Sequence, residues 1–163
     1  MKNDSGFTLI ETIIYLALFS IVIGGGMVAV FQVIQSASAS NNHIIVQEEG
    51  NFLLRKIDWA LTVATVISQP LSNATGTSLE INSGANKLTF TLNSTSSSLT
   101  LKRGIVIGVD GIPLNSSGVA VSDLSFYRGP SGKPDSITAS FKLTSIHAGK
   151  PAMQNFSITK YLR

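Results

Sequence analysis

The sequence predicts an α+β protein in which a long N-terminal helix, half membrane-spanning and half amphipathic, packs on an antiparallel β-sheet head. Three observations carry that expectation. No formal charge occurs between Thr12 and Gln47. Apolar residues from Ile45 to Ala64 recur at three-, four- and seven-residue steps, the period of one helix face. From Leu71 onward the chain switches to strand signals separated by turns. With 163 residues the chain is long enough to bury a real core.

The first element is the apolar run. A polar leader, Met1 to Gly6, precedes it, and the 19 residues Ile13 to Phe31 hold one Ser, three Gly and otherwise apolar side chains. As a helix rising 1.5 Å per residue they cover about 28 Å, close to the hydrocarbon thickness of a bilayer. A core helix of a soluble protein is rarely apolar on every face for that length, so the segment reads as a membrane span. A secretory signal would have a shorter apolar core, closed by a small-residue cleavage site. Here the run is longer and no A-x-A-like site closes it, so the segment reads as retained.

Glu11 stands at the edge of this span. An unpaired carboxylate in hydrocarbon costs a few kcal/mol on insertion scales. It therefore either sits at the headgroup level or awaits a positive partner from another chain. The residues Gly6-Phe7-Thr8-Leu9-Ile10-Glu11 resemble the prepilin cleavage and methylation motif of type IV pilins and type II secretion pseudopilins, and the resemblance extends through the apolar helix to about Gln35. It implies cleavage after Gly6 by a membrane-embedded prepilin peptidase, N-methylation of the new terminal residue Phe7, and a role in assembly for Glu11. The chemistry agrees. Glycine before the cut gives the peptidase unhindered backbone access, and cleavage creates an ammonium at Phe7 that a neighbouring subunit's Glu11 can pair with in a low-dielectric filament core.

Gly24-Gly25-Gly26 costs about 0.8–1 kcal/mol per residue in a helix relative to Ala. The three glycines allow either close helix packing through small residues or a soft point where the helix leaves the lipid. Major pilins usually carry a proline near here, whereas this chain has none before Pro70.

Beyond Gln35 the small polar stretch Ser36 to Asn42 can continue the helix or break it briefly. Ile45, Phe52, Leu53, Ile57, Leu61 and Ala64 then define an apolar stripe, with Glu48, Glu49, Arg55, Lys56 and Asp58 mostly between them, as in an amphipathic helix laid on a core. Trp59 is expected at the margin of that face. Pro70 disfavours helix at Gln69, so the helix is expected to stop near Ser68. The resulting division is a leader over 1–6, a transmembrane and assembly helix over 7–35, an amphipathic half over 36–69 and a β-rich head over 70–163. Such a helix, half in membrane and half in a head, matches the elongated shape of the resembled family.

In the carboxy-terminal half, strands are expected over Lys87 to Leu92, Ser98 to Leu101, Gly104 to Ile107, Val119 to Tyr127, Ser136 to Thr144 and Asn155 to Leu162. Asn93 to Ser98 and Asp110-Gly111 read as turns. Arg128 to Pro134 and His147 to Pro151 read as connecting loops. Consecutive strands with short loops favour an antiparallel sheet. The stretch Val121 to Phe126, the strands after it and Leu162-Arg163 resemble minor pilins and minor pseudopilins.

Composition narrows function. The formal net charge is +3 and only 13% of residues are charged, so no concentrated basic patch marks a nucleic-acid surface; a nucleic-acid partner stays uncertain. Ser and Thr supply 35 residues, so hydroxyls cover much of the surface in place of charge. The absence of cysteine excludes a disulfide framework, a thiolate metal site and a Cys nucleophile. His43 and His147 are far apart and lack ligand spacing. Glu80, Asp110, Asp123 and Asp135 do not form the D-x-D-x-D-G pattern of a calcium loop. No P-loop, G-x-S-x-G or H-E-x-x-H appears, and the N-x-S/T triplets at Asn73, Asn93, Asn115 and Asn155 read as compositional in so hydroxyl-rich a chain. The expectation is a non-enzymatic chain with no cofactor and no metal.

The resemblance implies a minor pilin or pseudopilin of a type IV pilus, competence pilus or type II secretion pseudopilus. Its implied partners are other such subunits, the prepilin peptidase, an inner-membrane assembly platform and the membrane. Its implied location is the bacterial cytoplasmic membrane as a single-pass protein, then an extracellular or periplasmic filament. Two other readings stay open: a binding module at a filament tip, and an ordinary single-span membrane protein with a β domain.

Overall fold

The computed structural model describes residues 8–84, 86–104, 111–130, 134–146 and 151–162. One α-helix, α1, runs over Leu9–Thr62, 54 residues without interruption. Gly24-Gly25-Gly26 and the polar stretch Ser36 to Asn42 are helical throughout. No proline falls within it, and several of its hydroxyls are satisfied locally. Ser20 Oγ donates to the Leu16 carbonyl at 2.8 Å, Ser38 Oγ to Ile34 at 3.1 Å and Thr62 Oγ1 to Asp58 at 2.8 Å. The chain divides into two compact units, Met1–Ser38 and Ala39–Arg163.

The helix ends six residues before the expected Ser68, and this corrects the amphipathic boundary at 69. Residues Val66–Gln69 form a strand, β1. Val63, Thr65, Val66 and Ile67 are β-branched, which weakens helix and favours a pleated surface. The Thr65 amide donates to the Asn82 carbonyl at 2.7 Å, and the Thr65 hydroxyl donates to the same oxygen at 2.9 Å. That pairing turns the chain into a sheet before Pro70 can act.

In the unit Ala39–Arg163 the head is two antiparallel sheets where the sequence predicts one. The first has five strands in the order β1, β3 (Ser78–Ser83), β4 (Asn86–Asn93), β5 (Ser98–Arg103) and β6 (Ile112–Pro113). The second has four, in the order β2 (Thr75–Gly76), β7 (Val119–Arg128), β8 (Ser136–Ser145) and β9 (Met153–Tyr161). The strands expected at 87–92, 98–101, 119–127, 136–144 and 155–162 are all present within a few residues, while β1, β2, β3 and β6 were not anticipated. The expected strand over 104–107 lies, apart from Gly104, outside the described residues, as does Asp110. The turn expected between Asn93 and Ser98 is built as an Asx turn, with Asn93 Oδ1 accepting the Thr95 amide at 3.0 Å and the Ser96 amide at 3.3 Å.

Both sheets and the helix contribute to one core. From α1 come Val46, Leu53, Ile57, Ala60 and Leu61; from the five-stranded sheet Ile67, Leu79, Ile81, Leu88, Phe90 and Leu99; from the four-stranded sheet residues of β7, β8 and β9, with Phe126 and Phe141 the largest that are fully buried. The helical positions step by four and three, which rotates the expected stripe slightly. Val46 and Gly50 face the core, while Phe52 and Trp59 stay on the surface. Gly50 has a specific reason to lack a side chain, because a Cβ there would collide with the ring of Phe156 on β9. That ring in turn stacks on Phe141 with centroids 5.6 Å apart. Beside this contact, Lys160 of β9 pairs with Asp58 of α1 at 2.8 Å.

The strand β7 contains a bulge. Its register against β8 shifts between Ser122 and Ser125, and Asp123 takes φ of 53°, a conformation that Asp tolerates better than most residues. The extra residue lets Val121, Leu124 and Phe126 all face the core despite a three-residue step between the first two. A second local device closes the hairpin that follows. Arg128 grips Asp135 through two parallel bonds, Nε to Oδ1 at 2.9 Å and Nη2 to Oδ2 at 2.6 Å, and its Nη1 donates to the Ile67 carbonyl at 2.9 Å. One guanidinium thus ties the β7–β8 hairpin to the end of β1 across the two sheets.

Candidate assembly site

The unit that carries the resembled motif contrasts with the head in what it exposes. Between Thr8 and Ser38 every residue is exposed except Glu11, which is half-buried. Leu9, Ile10, Leu16, Ile21 and Val22 each show two thirds or more of their surface. The helix is long and apolar enough to cross a membrane, and none of its most apolar 18-residue window is buried within the chain. Apolar area of this kind is unfavourable in water at about 25 cal/mol per Å², so it demands lipid or other helices around it. The three glycines at 24–26 have nothing within 4 Å of where a Cβ would stand, so no packing among the described residues accounts for them.

Glu11 lies in the first turn of α1, where the helix dipole favours negative charge. Its amide donates to the Thr8 carbonyl at 3.1 Å. Its carboxylate accepts a hydrogen bond from the Tyr15 hydroxyl, at 3.2 Å to Oε1. Thr12, between the two in sequence, is occupied elsewhere, its hydroxyl donating to the Leu9 carbonyl at 2.8 Å. Tyr15 was not singled out from the sequence; the available signal was its spacing of four from the one carboxylate in the span. Gly6 and Phe7, the residues flanking the expected cleavage, lie outside the described residues.

The other candidate residues are dispersed. Glu80 pairs with Lys87 at 2.6 Å and Asp135 with Arg128, while Asp123 is exposed on the β7 bulge. His43 is exposed on α1, and His147 lies outside the described residues. Among the described residues no group of three or more His, Cys, Asp or Glu gathers. Asn115 serves the fold: its amide oxygen accepts the Leu99 amide at 2.9 Å, and its nitrogen donates to the Val119 carbonyl at 2.6 Å.

Residues 1–27 match the family model described as the prokaryotic N-terminal methylation motif. No curated protein and no solved structure matches the chain. The matched motif is that of a structural rather than a catalytic family, and it covers residues 1–6, Glu11, Tyr15 and the first half of the exposed apolar helix. That motif, together with the long exposed apolar helix, supports a type IV pilin-like, membrane-anchored precursor.

Proposed function

We propose that this chain is a minor pilin or pseudopilin, a structural subunit of a type IV pilus-like filament, cleaved after Gly6 by a prepilin peptidase and N-methylated at Phe7. In this reading it leaves the membrane through an assembly platform and joins other subunits through α1, serving pilus biogenesis, secretion or DNA uptake. The observation that carries the proposal is the combination found over residues 8–38: an apolar helix exposed on every face, with one half-buried carboxylate at its start. An anchor needs the apolar surface and gains nothing from the carboxylate. A filament subunit uses both, the surface for helix packing and Glu11 for the ammonium that cleavage creates on a neighbour. That pair would set axial register, because it is strong only where water is excluded.

The test is the mass of the amino terminus in cells with an active prepilin peptidase. A chain beginning at N-methylated Phe7 and recovered in sheared filaments supports the proposal. A chain beginning at Met1 and confined to membranes marks an ordinary single-span anchor. Glu11→Ala is expected to be inserted and cleaved normally yet to be strongly depleted from filaments, and normal incorporation of that variant would remove Glu11 from the assembly role. Abundance relative to other filament subunits then separates a minor from a major one.

A further inference from the structure

We infer that Tyr15 is a positioning residue for Glu11: its hydroxyl holds the carboxylate in place while the subunit is alone in the membrane, and shares it with the incoming ammonium on assembly. This rests on the filament reading above. Positions 11 and 15 are one helical turn apart on the same face, and long side chains on a helix lean toward its N-terminus, so a tyrosine at 15 reaches back over a carboxylate at 11. The observed bond from the Tyr15 hydroxyl to Glu11 Oε1 follows that direction. It coincides with the half-burial of Glu11 in a segment otherwise exposed throughout. Three other hydroxyls of the segment do something different, since those of Thr12, Ser20 and Ser38 return to carbonyls of their own helix.

The physical need for such a donor is clear. A carboxylate at the edge of hydrocarbon that lacks a partner is costly, and the ammonium partner is absent until another subunit arrives. A carboxylate has about four acceptor sites, and the single hydroxyl contact at 3.2 Å takes one and leaves the rest for an ammonium. The hydroxyl therefore keeps the carboxylate oriented and is not displaced by the partner it prepares for.

Tyr15→Phe removes one oxygen and keeps the ring, which makes it the informative variant of the full-length chain. In cells that assemble the filament, its N-terminal processing should match the parent, while the ratio of filament-borne to membrane-borne chain should fall about fivefold to tenfold, the effect of having to order one loose side chain on docking. A second readout is one that a merely structural ring would not move. In phospholipid nanodiscs, the parent labelled with carboxyl-¹³C glutamate minus its Glu11→Ala variant isolates the infrared band of Glu11, and Tyr15→Phe should shift that band. An unmoved band, or undiminished incorporation, overturns the inference. If the parent itself begins at Met1 and forms no filament, the filament reading fails by itself, and the band still decides whether Tyr15 holds the carboxylate.

Discussion

The helix α1 is one continuous element with two unlike halves, and the contrast is in what each half has to satisfy. From Val46 to Leu61 one face, made by Val46, Leu53, Ile57, Ala60 and Leu61, disappears into a core shared with two sheets, and two charged residues find partners there: Asp58 with Lys160, and Glu49 with the Ser116 amide at 3.3 Å. From Leu9 to Ile34 apolar residues are more numerous, but no described residue covers them. Helical structure in the two halves thus has different origins. In the head, tertiary packing of one face stabilises the helix. In the N-terminal half, the surroundings must supply what packing does not, and lipid or neighbouring helices are the two media in which an all-apolar surface is stable.

Matched substitutions in the two halves put that contrast at risk. Leu53 is fully buried and Leu16 is 71% exposed, so Leu53→Ala should lower the unfolding free energy of the head by about 2–5 kcal/mol, and Leu16→Ala should change it by less than about 0.5 kcal/mol. Denaturant unfolding of the full chain in detergent, followed by Trp59 fluorescence, reads both; equal effects would mean the two halves are not separate in stability. The glycines give a second pair. Gly50→Ala forces its methyl group into the Phe156 ring and should cost about 2 kcal/mol, since overpacking outweighs the gain in helix propensity. Gly25→Ala meets nothing in the chain and should leave the head untouched, raising only the helicity of the apolar half by circular dichroism.

Smaller effects sharpen the picture inside the head. Arg128→Ala removes a half-buried bidentate pair and its bond to the Ile67 carbonyl, with an expected loss of about 1–2 kcal/mol. Arg128→Lys should recover only part of that, because an ammonium cannot reproduce the two parallel bonds. Chemical denaturation of the three forms ranks them. Lys160→Ala breaks a partly exposed pair with Asp58 and should cost less than about 1 kcal/mol, a contribution that salt weakens.

Much of this organisation was legible in the sequence wherever one period dominated a long window. The uncharged run after Glu11, the strand at 136–145 with Ile137, Ala139, Phe141 and Leu143 all inward, and the Asn93 turn are dictated by local chemistry. Short elements were not legible. The strand β3 shows only Leu79 and Ile81 as an alternation, and β1 becomes a strand because Asn82 supplies a carbonyl to Thr65 from 17 residues away. At the candidate site, Glu11 stood out as the one carboxylate in an apolar segment. Tyr15 did not, because tyrosine in a membrane span reads as one more large side chain until its hydroxyl is seen to reach a partner.

By itself, then, the sequence determined the exposed apolar helix, the motif over residues 1–27 and a β-rich head, since each depends on residue type and short-range periodicity. Tertiary structure alone decided that α1 stops at Thr62, that the strands divide into two sheets, that Gly50 sits against Phe156 and that Arg128 ties the sheets together. Those features depend on groups far apart in the chain competing for the same backbone bonds and the same volume, and no local pattern encodes the outcome of that competition.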